Sequence, residues 1–548
     1  MGPLPVNTLK GTLARKLRHL WSLLPTRQEQ PMPRGWFTQH EIARLHAAGK
    51  ASAEGLDEPS WRDLDLDACI DQAAGDCSVF GRQWLCARLR GCDLTDSSDL
   101  AQVTQLRGLV DDPGRSAAWR AATSGLRCAE TEVAGTLFAP EPIALPHWVG
   151  LLWLVPMGFG LALALSVAGL YGPGGLLIVA ALGVSAAVQI RLYGPSATWQ
   201  KQKRAIRQLL ASAMRMAELD GQPQRGQPAD PGAEDPWPAP PLPDLGPLWA
   251  AFRPTWLERM AGLAEYADLI LLSQYRRLAA DIERLGRHRQ ALQQVFLALG
   301  QREANAWLAC HLRASECFCW NQARDGLAGA WLTGMRNPLL ARSKPVTLTL
   351  GDRGLFLTGK NGSGKSTLLR SLGLNLVLAR ALGVCMAEAA SLPRALVQTS
   401  IRIEDSLALG RSLYVAELLR AAEMMARAGR AKACLVIFDE IFRGTNHLES
   451  VSAAAAVIRR LAAQATVVVS SHHVDLARLV EASAHPLVLD ETPAGLRLLP
   501  GLLAETNGID LLLRHGFDAE LHATALGLHQ ELAQRVLGPL GAEPAPPR

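Results

Sequence analysis

Very little separates the charges of this chain: 56 basic residues against 51 acidic ones leave only +5 over 548 residues. No global field therefore marks it as a nucleic-acid binder, and only a local basic patch could serve that purpose. Paired CxxC knuckles are missing as well. The ten cysteines (Cys69, Cys77, Cys86, Cys92, Cys128, Cys310, Cys317, Cys319, Cys385 and Cys434) are scattered, many in apolar helical surroundings. That pattern favours reduced thiols over zinc ligands or a disulfide framework. The first thirty residues are basic but hold no apolar core ending at a small-residue cleavage site, so no cleaved leader is expected. The strongest absence is local. From Trp148 to Ile190, forty-three residues contain no Asp, Glu, Lys or Arg.

A stretch of that kind is long enough for two membrane crossings, and it breaks at Gly172-Pro173-Gly174-Gly175. Trp148 to Tyr171 suffices for one span; Gly174 to Ile190 is near the minimum of about 17 residues and could be extended if Arg191 snorkels. Trp148, Trp153, Tyr171 and Tyr193 stand near the ends, and Arg191, Lys201, Lys203, Arg204 and Arg207 follow, which suits a cytoplasmic exit. The competing reading is a helical hairpin buried in a soluble core.

The length allows two to four domains. Helical patterning runs from about residue 60 to 145, with Leu64, Leu66, Ile70, Trp84, Leu85 and Leu89 among polar positions. Residues 221–247 hold nine prolines and read as an extended linker. A second helical block follows, with Met260, Leu263, Tyr266 and Ile270 on one face. Its basic run, Arg276, Arg277, Arg284, Arg287 and Arg289, reads as a solvated face rather than a binding patch. From Val346 the period changes to alternating strands and an α/β domain begins.

The chemistry lies in that domain. Gly359-Lys360-Asn361-Gly362-Ser363-Gly364-Lys365-Ser366-Thr367 fits GxxxxGK[ST] between an apolar strand and a helical run. Glycines let the backbone turn tightly, so that its N–H groups and the helix N-terminus surround phosphates; Lys365 reaches the β and γ oxygens and Ser366 holds magnesium. About seventy residues later, Cys434 to Phe438 form a buried strand ending in Asp439-Glu440. Asp439 would hold magnesium through water, and Glu440 would polarise the attacking water. A further strand, Thr466 to Ser470, leads to His472, placed to sense the γ-phosphate.

Taken together, these pieces resemble the MutS family of DNA-repair ATPases. Asn361 occupies the place of that family's loop Asn. Glu404-Asp405-Ser406-Leu407-Ala408-Leu409-Gly410-Arg411-Ser412-Leu413-Tyr414-Val415-Ala416-Glu417 looks like DDLxxGxSTFxxE, and Asp439 to Asn446 look like DEIGRGTS, while His447 to Ser450 depart from TYDG. Ser471-His472-His473 is similar to Thr-His-Tyr, and Thr506-Asn507-Gly508-Ile509 with Gly516-Phe517 resembles the closing signature. Asp63-Leu64-Asp65-Leu66 followed by Gly81-Arg82-Gln83-Trp84-Leu85 looks like the entry to the family's helical lever. The resemblance implies that Ser412 reaches the γ-phosphate held by the other subunit, so that two ATP sites form across a homodimer. The one Phe-x-Glu, Phe438-Asp439-Glu440, belongs to the ATPase strand; mismatch-specific reading is therefore not expected, although DNA remains a possible partner.

The expectation is thus an α/β P-loop (ABC-type) ATPase domain C-terminal to a helical lever-like domain that is interrupted by a transmembrane hairpin. The divisions are 1–146, a helical block; 147–193, the hairpin; 194–220, a helical segment; 221–247, the linker; 248–334, a second helical block; 335–520, the ATPase domain; and 521–548, a helix and tail. ATP and Mg2+ are the expected ligands, with the ATPase facing the cytoplasm. The expected function is ATP hydrolysis coupled to DNA binding or repair at a membrane. The alternatives are a nucleotide-gated membrane scaffold without DNA contact and a transporter motor. The last lacks an LSGGQ segment, where Leu409-Gly410-Arg411-Ser412 stands instead.

Overall fold

The computed structural model of the chain describes residues 30–49, 55–92, 99–139, 147–220, 241–255, 272–402, 412–492, 495–503 and 508–537. Its centre is a nine-stranded sheet. The strands are β2 (Trp331–Met335), β3 (Val346–Thr349), β4 (Gly354–Thr358), β6 (Ala389–Ser391), β7 (Leu396–Ser400), β8 (Cys434–Asp439), β9 (Thr466–Ser470), β10 (Ala484–Thr492) and β11 (Gly495–Pro500). Their spatial order is β6-β2-β3-β11-β10-β4-β9-β8-β7, and a separate short pair joins β1 (Cys319–Trp320) to β5 (Val384–Cys385). Strands β10, β4, β9, β8 and β7 are parallel neighbours in that order. β4 and β8 are apolar along nearly their whole length rather than alternating, because helices cover both faces of a parallel sheet. β3, with its buried–exposed alternation, lies toward the antiparallel edge.

The parallel strands need crossover helices. Helix α7 (Lys365–Leu382) leaves β4, α8 (Leu413–Ala428) precedes β8, α9 (His447–Ala462) joins β8 to β9, and α10 (Val474–Val480) joins β9 to β10. In register, Asp439 pairs with Ser470, and Ser470 with Leu357. The carboxyl ends of β4, β9 and β8 therefore lie side by side, where ligands of open α/β sheets bind.

The two helical blocks, distant in sequence, fold together. Helices α1 (Glu58–Asp63), α2 (Leu66–Ala74) and α3 (Val79–Arg90) pack with α6 (Ser273–Ala314), and their apolar side chains share one core with much of the sheet. Phe296 sits edge-on to Phe80 at 5.4 Å and to Phe138 at 5.5 Å. Fully buried Glu303 of α6 accepts hydrogen bonds from the Ser78 N–H (2.8 Å), the Ser78 hydroxyl (2.5 Å) and the Gly81 N–H (3.2 Å), closing the N-terminus of α3.

Helix α1 is tied just as specifically to the ATPase domain. Buried Asp63 accepts from Thr399 Oγ1 (2.7 Å) and from the N–H groups of Ile401 (2.8 Å) and Arg402 (2.9 Å). Arg402 forms a bidentate pair with Asp65, and Arg420 of α8 reaches Asp57 and the Ser60 hydroxyl. Arg427, also on α8, bonds Asp57 as well.

The uncharged stretch forms a 3-10 turn (His147–Trp153), helix α4 (Leu154–Val167) and helix α5 (Tyr171–Asp220). Both apolar spans are long enough to cross a membrane, and only 22% of each apolar window is buried. Val167 (82% exposed) and Leu176 (76%) face outward, which disfavours a hairpin hidden in a soluble core. The sequence breaks earlier than expected. The turn comes at Ala168–Leu170, with Gly169 at φ 81°, and Gly172–Gly175 form the first turn of α5. Pro173 is tolerated there because the first helical N–H groups have no partner within the helix. α5 continues without a break past residue 193 through fifty residues, about 75 Å at 1.5 Å per residue.

Two further expectations change. Residues 221–240 of the linker lie outside the described residues, and a helix (Leu245–Phe252) begins within its last three, capped by Asp244. The basic run of α6 is not a simply solvated face. Arg276 stacks on Trp153 at 3.4 Å, Arg277 donates to Thr255, Arg284 and Arg287 pair with Asp281 and Glu283, and Arg289 donates to the Leu137 carbonyl. Arg284 and Arg287 find their partners one turn away on α6 itself, whereas those of Arg276, Arg277 and Arg289 come from other segments, which position along a helix cannot reveal.

Candidate functional site

The loop between β4 and α7 is built by its glycines. Gly362 (φ 76°) and Gly364 (φ 92°) adopt left-handed conformations that side chains rarely take, and Gly364 is the N-cap of α7. Lys365 begins that helix, and its Nζ donates to the carbonyls of Gly359 (2.8 Å) and Lys360 (3.1 Å). Burial pushes its ammonium below the usual lysine range, and Glu440 and Asp439 oppose the shift. The Ser363 hydroxyl is buried and has no hydrogen-bond partner among the described residues. Asn361 is exposed at the loop's rim, and Gly508 of the closing segment approaches its side chain.

β8 and β9 deliver the acidic half. The Ser470 hydroxyl donates to Asp439 Oδ1, and the Glu440 N–H donates to the Ser470 carbonyl at 2.9 Å. Glu440 itself has φ 57°, a left-handed backbone uncommon for a residue with a side chain. Its carboxylate lies 3.2 Å from His472 Nε2 and 3.6 Å from Arg443 Nη1. Thus Asp439, Glu440 and His472 converge at the adjoining ends of β8 and β9, and the two carboxylates act electrostatically on Lys365.

Sequence reasoning did not single out the support of this turn. Phe442 stands where the DEIGRGTS pattern has glycine and takes φ 61°, buried against Tyr414 with ring centroids 5.8 Å apart. Buried Glu417 of α8 accepts from the N–H groups of Arg443 (3.2 Å) and Gly444 (3.4 Å). Burial pushes the Glu417 carboxyl up; those two N–H groups oppose the shift. The closing Glu of the DDLxxGxSTFxxE-like segment was the available signal. His447, in the departing stretch, meets His473 ring to ring at 4.7 Å.

Ser412 lies at the surface. It is the exposed N-cap of α8, and its side chain makes no capping hydrogen bond. Among the described residues it makes no hydrogen bond to the phosphate loop of its own chain. Residues 404–411 of its segment, and Thr506 and Asn507 of the closing signature, lie outside the described residues.

The donor set fits a phosphate anion with a hard cation. Loop N–H groups, a buried ammonium and an unpartnered hydroxyl suit phosphate oxygens, and Ser366 with Asp439 offers the oxygen ligands that Mg2+ takes.

Comparison with known proteins agrees over the same region. Residues 355–489 match the family model for MutS domain V. A 218-residue stretch is 31% identical to the DNA mismatch repair protein MutS of Thermus aquaticus, covering 38% of this chain and 27% of that protein. The chain thus spans about a quarter of the length of that relative. The likeness to MutS domain V thus lies in the C-terminal part of the chain, over the strands and loops that form the site.

Proposed function

We propose that this chain uses its MutS domain V to bind and hydrolyse ATP at composite sites of a homodimer, on a membrane-anchored scaffold that acts on DNA. One observation carries the enzymatic part. Lys365, Asp439, Glu440 and His472 are brought together by three adjacent parallel strands, the arrangement needed to hold phosphates and activate water. Lys365 would exchange its loop carbonyls for phosphate oxygens, alongside the N–H groups of Gly362 to Thr367. Ser366 and Asp439 would hold Mg2+, which when bound neutralises charge building on the phosphates. Ser470 orients Asp439 through its hydroxyl. Glu440, held between His472 and Arg443, polarises the attacking water, and His472 stands beside it to sense the γ-phosphate. Ser412, exposed and making no hydrogen bond to its own loop among the described residues, would close the partner's site in a two-fold assembly.

The outward apolar faces of α4 and α5 support insertion as a hairpin with the ATPase domain in the cytoplasm. A nucleotide-gated scaffold without DNA contact is favoured by the partners of the α6 arginines, since Arg276, Arg277 and Arg289 engage other segments and the exposed Arg284 and Arg287 are paired with Asp281 and Glu283. The two readings separate on ATPase rates with mismatched, branched and plain duplexes. Stimulation that falls steeply with salt supports the DNA reading; rates indifferent to every duplex support the scaffold. For the enzyme, Lys365→Ala should abolish nucleotide binding. Glu440→Gln should keep binding and slow turnover on the order of 10²- to 10³-fold. Normal turnover in Glu440→Gln would remove it from the role of water activator.

A further inference from the structure

Helix α8 touches two functional regions at once. Its N-cap is Ser412, while its inner face holds the turn that carries Glu440 in the same chain. Those holding contacts are specific. Glu417 accepts the N–H groups of Arg443 and Gly444, and the Arg443 guanidinium lies 3.9 Å from Glu417 and 3.6 Å from Glu440. A Cβ on Gly444 would stand 2.6 Å from the Tyr414 nitrogen, so the turn and the first residues of α8 meet backbone to backbone. Phe442 packs on Tyr414 beside that contact.

Two residues of this turn, Glu440 and Phe442, have positive φ. Side-chain-bearing residues stay in that conformation only where the surroundings over-determine it. Glu417 and Tyr414 supply much of that constraint. Ser412 and Glu417 are five residues apart along one helix start, about 7.5 Å at 1.5 Å per residue. Over so short a length a helix moves as one piece, so a displaced 440–444 turn carries Ser412 with it.

We propose that Glu417 is a positioning residue for Glu440, and that α8 thereby couples the hydrolytic turn of one chain to the Ser412 it lends to its partner. This rests on the composite-site reading above.

The test uses full-length chains with two different tags, so that mixed dimers can be isolated. In the uniform Glu417→Gln dimer, kcat should fall on the order of tenfold, with KM for ATP within about twofold. An unchanged kcat overturns the positioning role. For the coupling, one chain carries Lys365→Ala and its partner is unaltered, leaving one working loop served by the Ser412 of the loop mutant. Adding Glu417→Gln to the Lys365→Ala chain alters only the chain that donates Ser412. The rate at the partner's intact loop should again fall several-fold, whereas a role confined to its own turn leaves that rate unchanged and overturns the coupling. Adding Ser412→Ala to the Lys365→Ala chain instead tests the underlying reading. Full activity there sinks the composite site itself, and the uniform Glu417→Gln dimer still decides the positioning role. If Glu417→Gln does not fold, Gly444→Ala forces the turn away from the start of α8 at the Tyr414 backbone, and the same readings are expected.

Discussion

Glu303 gives the polar pin between the two helical blocks a measurable pH signature. The carboxyl is fully buried and accepts three hydrogen bonds around Ser78 and Gly81. Burial pushes its pKa up from 4.5 to about 7, against those bonds. A raised carboxyl pKa means that the folded chain keeps a proton the unfolded chain has lost. The stabilisation is therefore complete below the unfolded value, declines as pH rises, and is gone once pH passes the folded value. At about 1.4 kcal/mol per pH unit the whole effect is about 3 kcal/mol, most of which falls between about pH 5 and pH 8.

Glu303→Gln keeps a carbonyl acceptor but cannot ionise. At low pH, where the native carboxyl is protonated, it should lose about 1–2 kcal/mol through the imperfectly satisfied Gly81 N–H, and it should lack the slope. The assay is denaturant unfolding of the detergent-solubilised chain at several pH values, for the native sequence and the variant. The difference between them should shift in favour of Gln by roughly 2–3 kcal/mol from about pH 5 to pH 8. Parallel profiles would refute the claim that this carboxyl holds a proton in the folded state.

Phe442→Gly and Phe442→Ala both lose a buried ring and should destabilise by about 2–5 kcal/mol, but Gly relieves the positive φ. The Gly variant should be the more stable by about 1 kcal/mol, reversing the usual order, and unfolding midpoints decide it. Asp63→Ala leaves the donors at Thr399, Ile401 and Arg402 without their buried acceptor. A loss of about 3 kcal/mol or more is expected, and a variant within 1 kcal/mol of native would show that water replaces the carboxylate. A cysteine placed at Ala168 should be labelled from outside intact cells, while one near residue 100 should not. The reverse pattern, or release of the protein by carbonate wash, would sink the hairpin.

By itself the sequence determined the local parts: the glycine-rich turn, the apolar strand running into Asp439-Glu440, and the forty-three uncharged residues. Each is set within a few consecutive residues, by backbone freedom, by continuous apolarity or by hydration, so no long-range information is required. Tertiary structure alone decided what those parts touch. That Glu440 is held by Arg443 and His472 and its turn by Glu417, that Glu303 closes a helix more than 200 residues away, and that Asp63 binds the end of β7 all depend on segments meeting in space. The same holds for Phe442. Where the resembling pattern has glycine, an aromatic in a left-handed conformation is tolerated only because Tyr414 gives its ring a buried place. Such contacts leave no periodic trace along the chain, since a hydrogen bond or ring contact constrains a pair of positions and not a pattern.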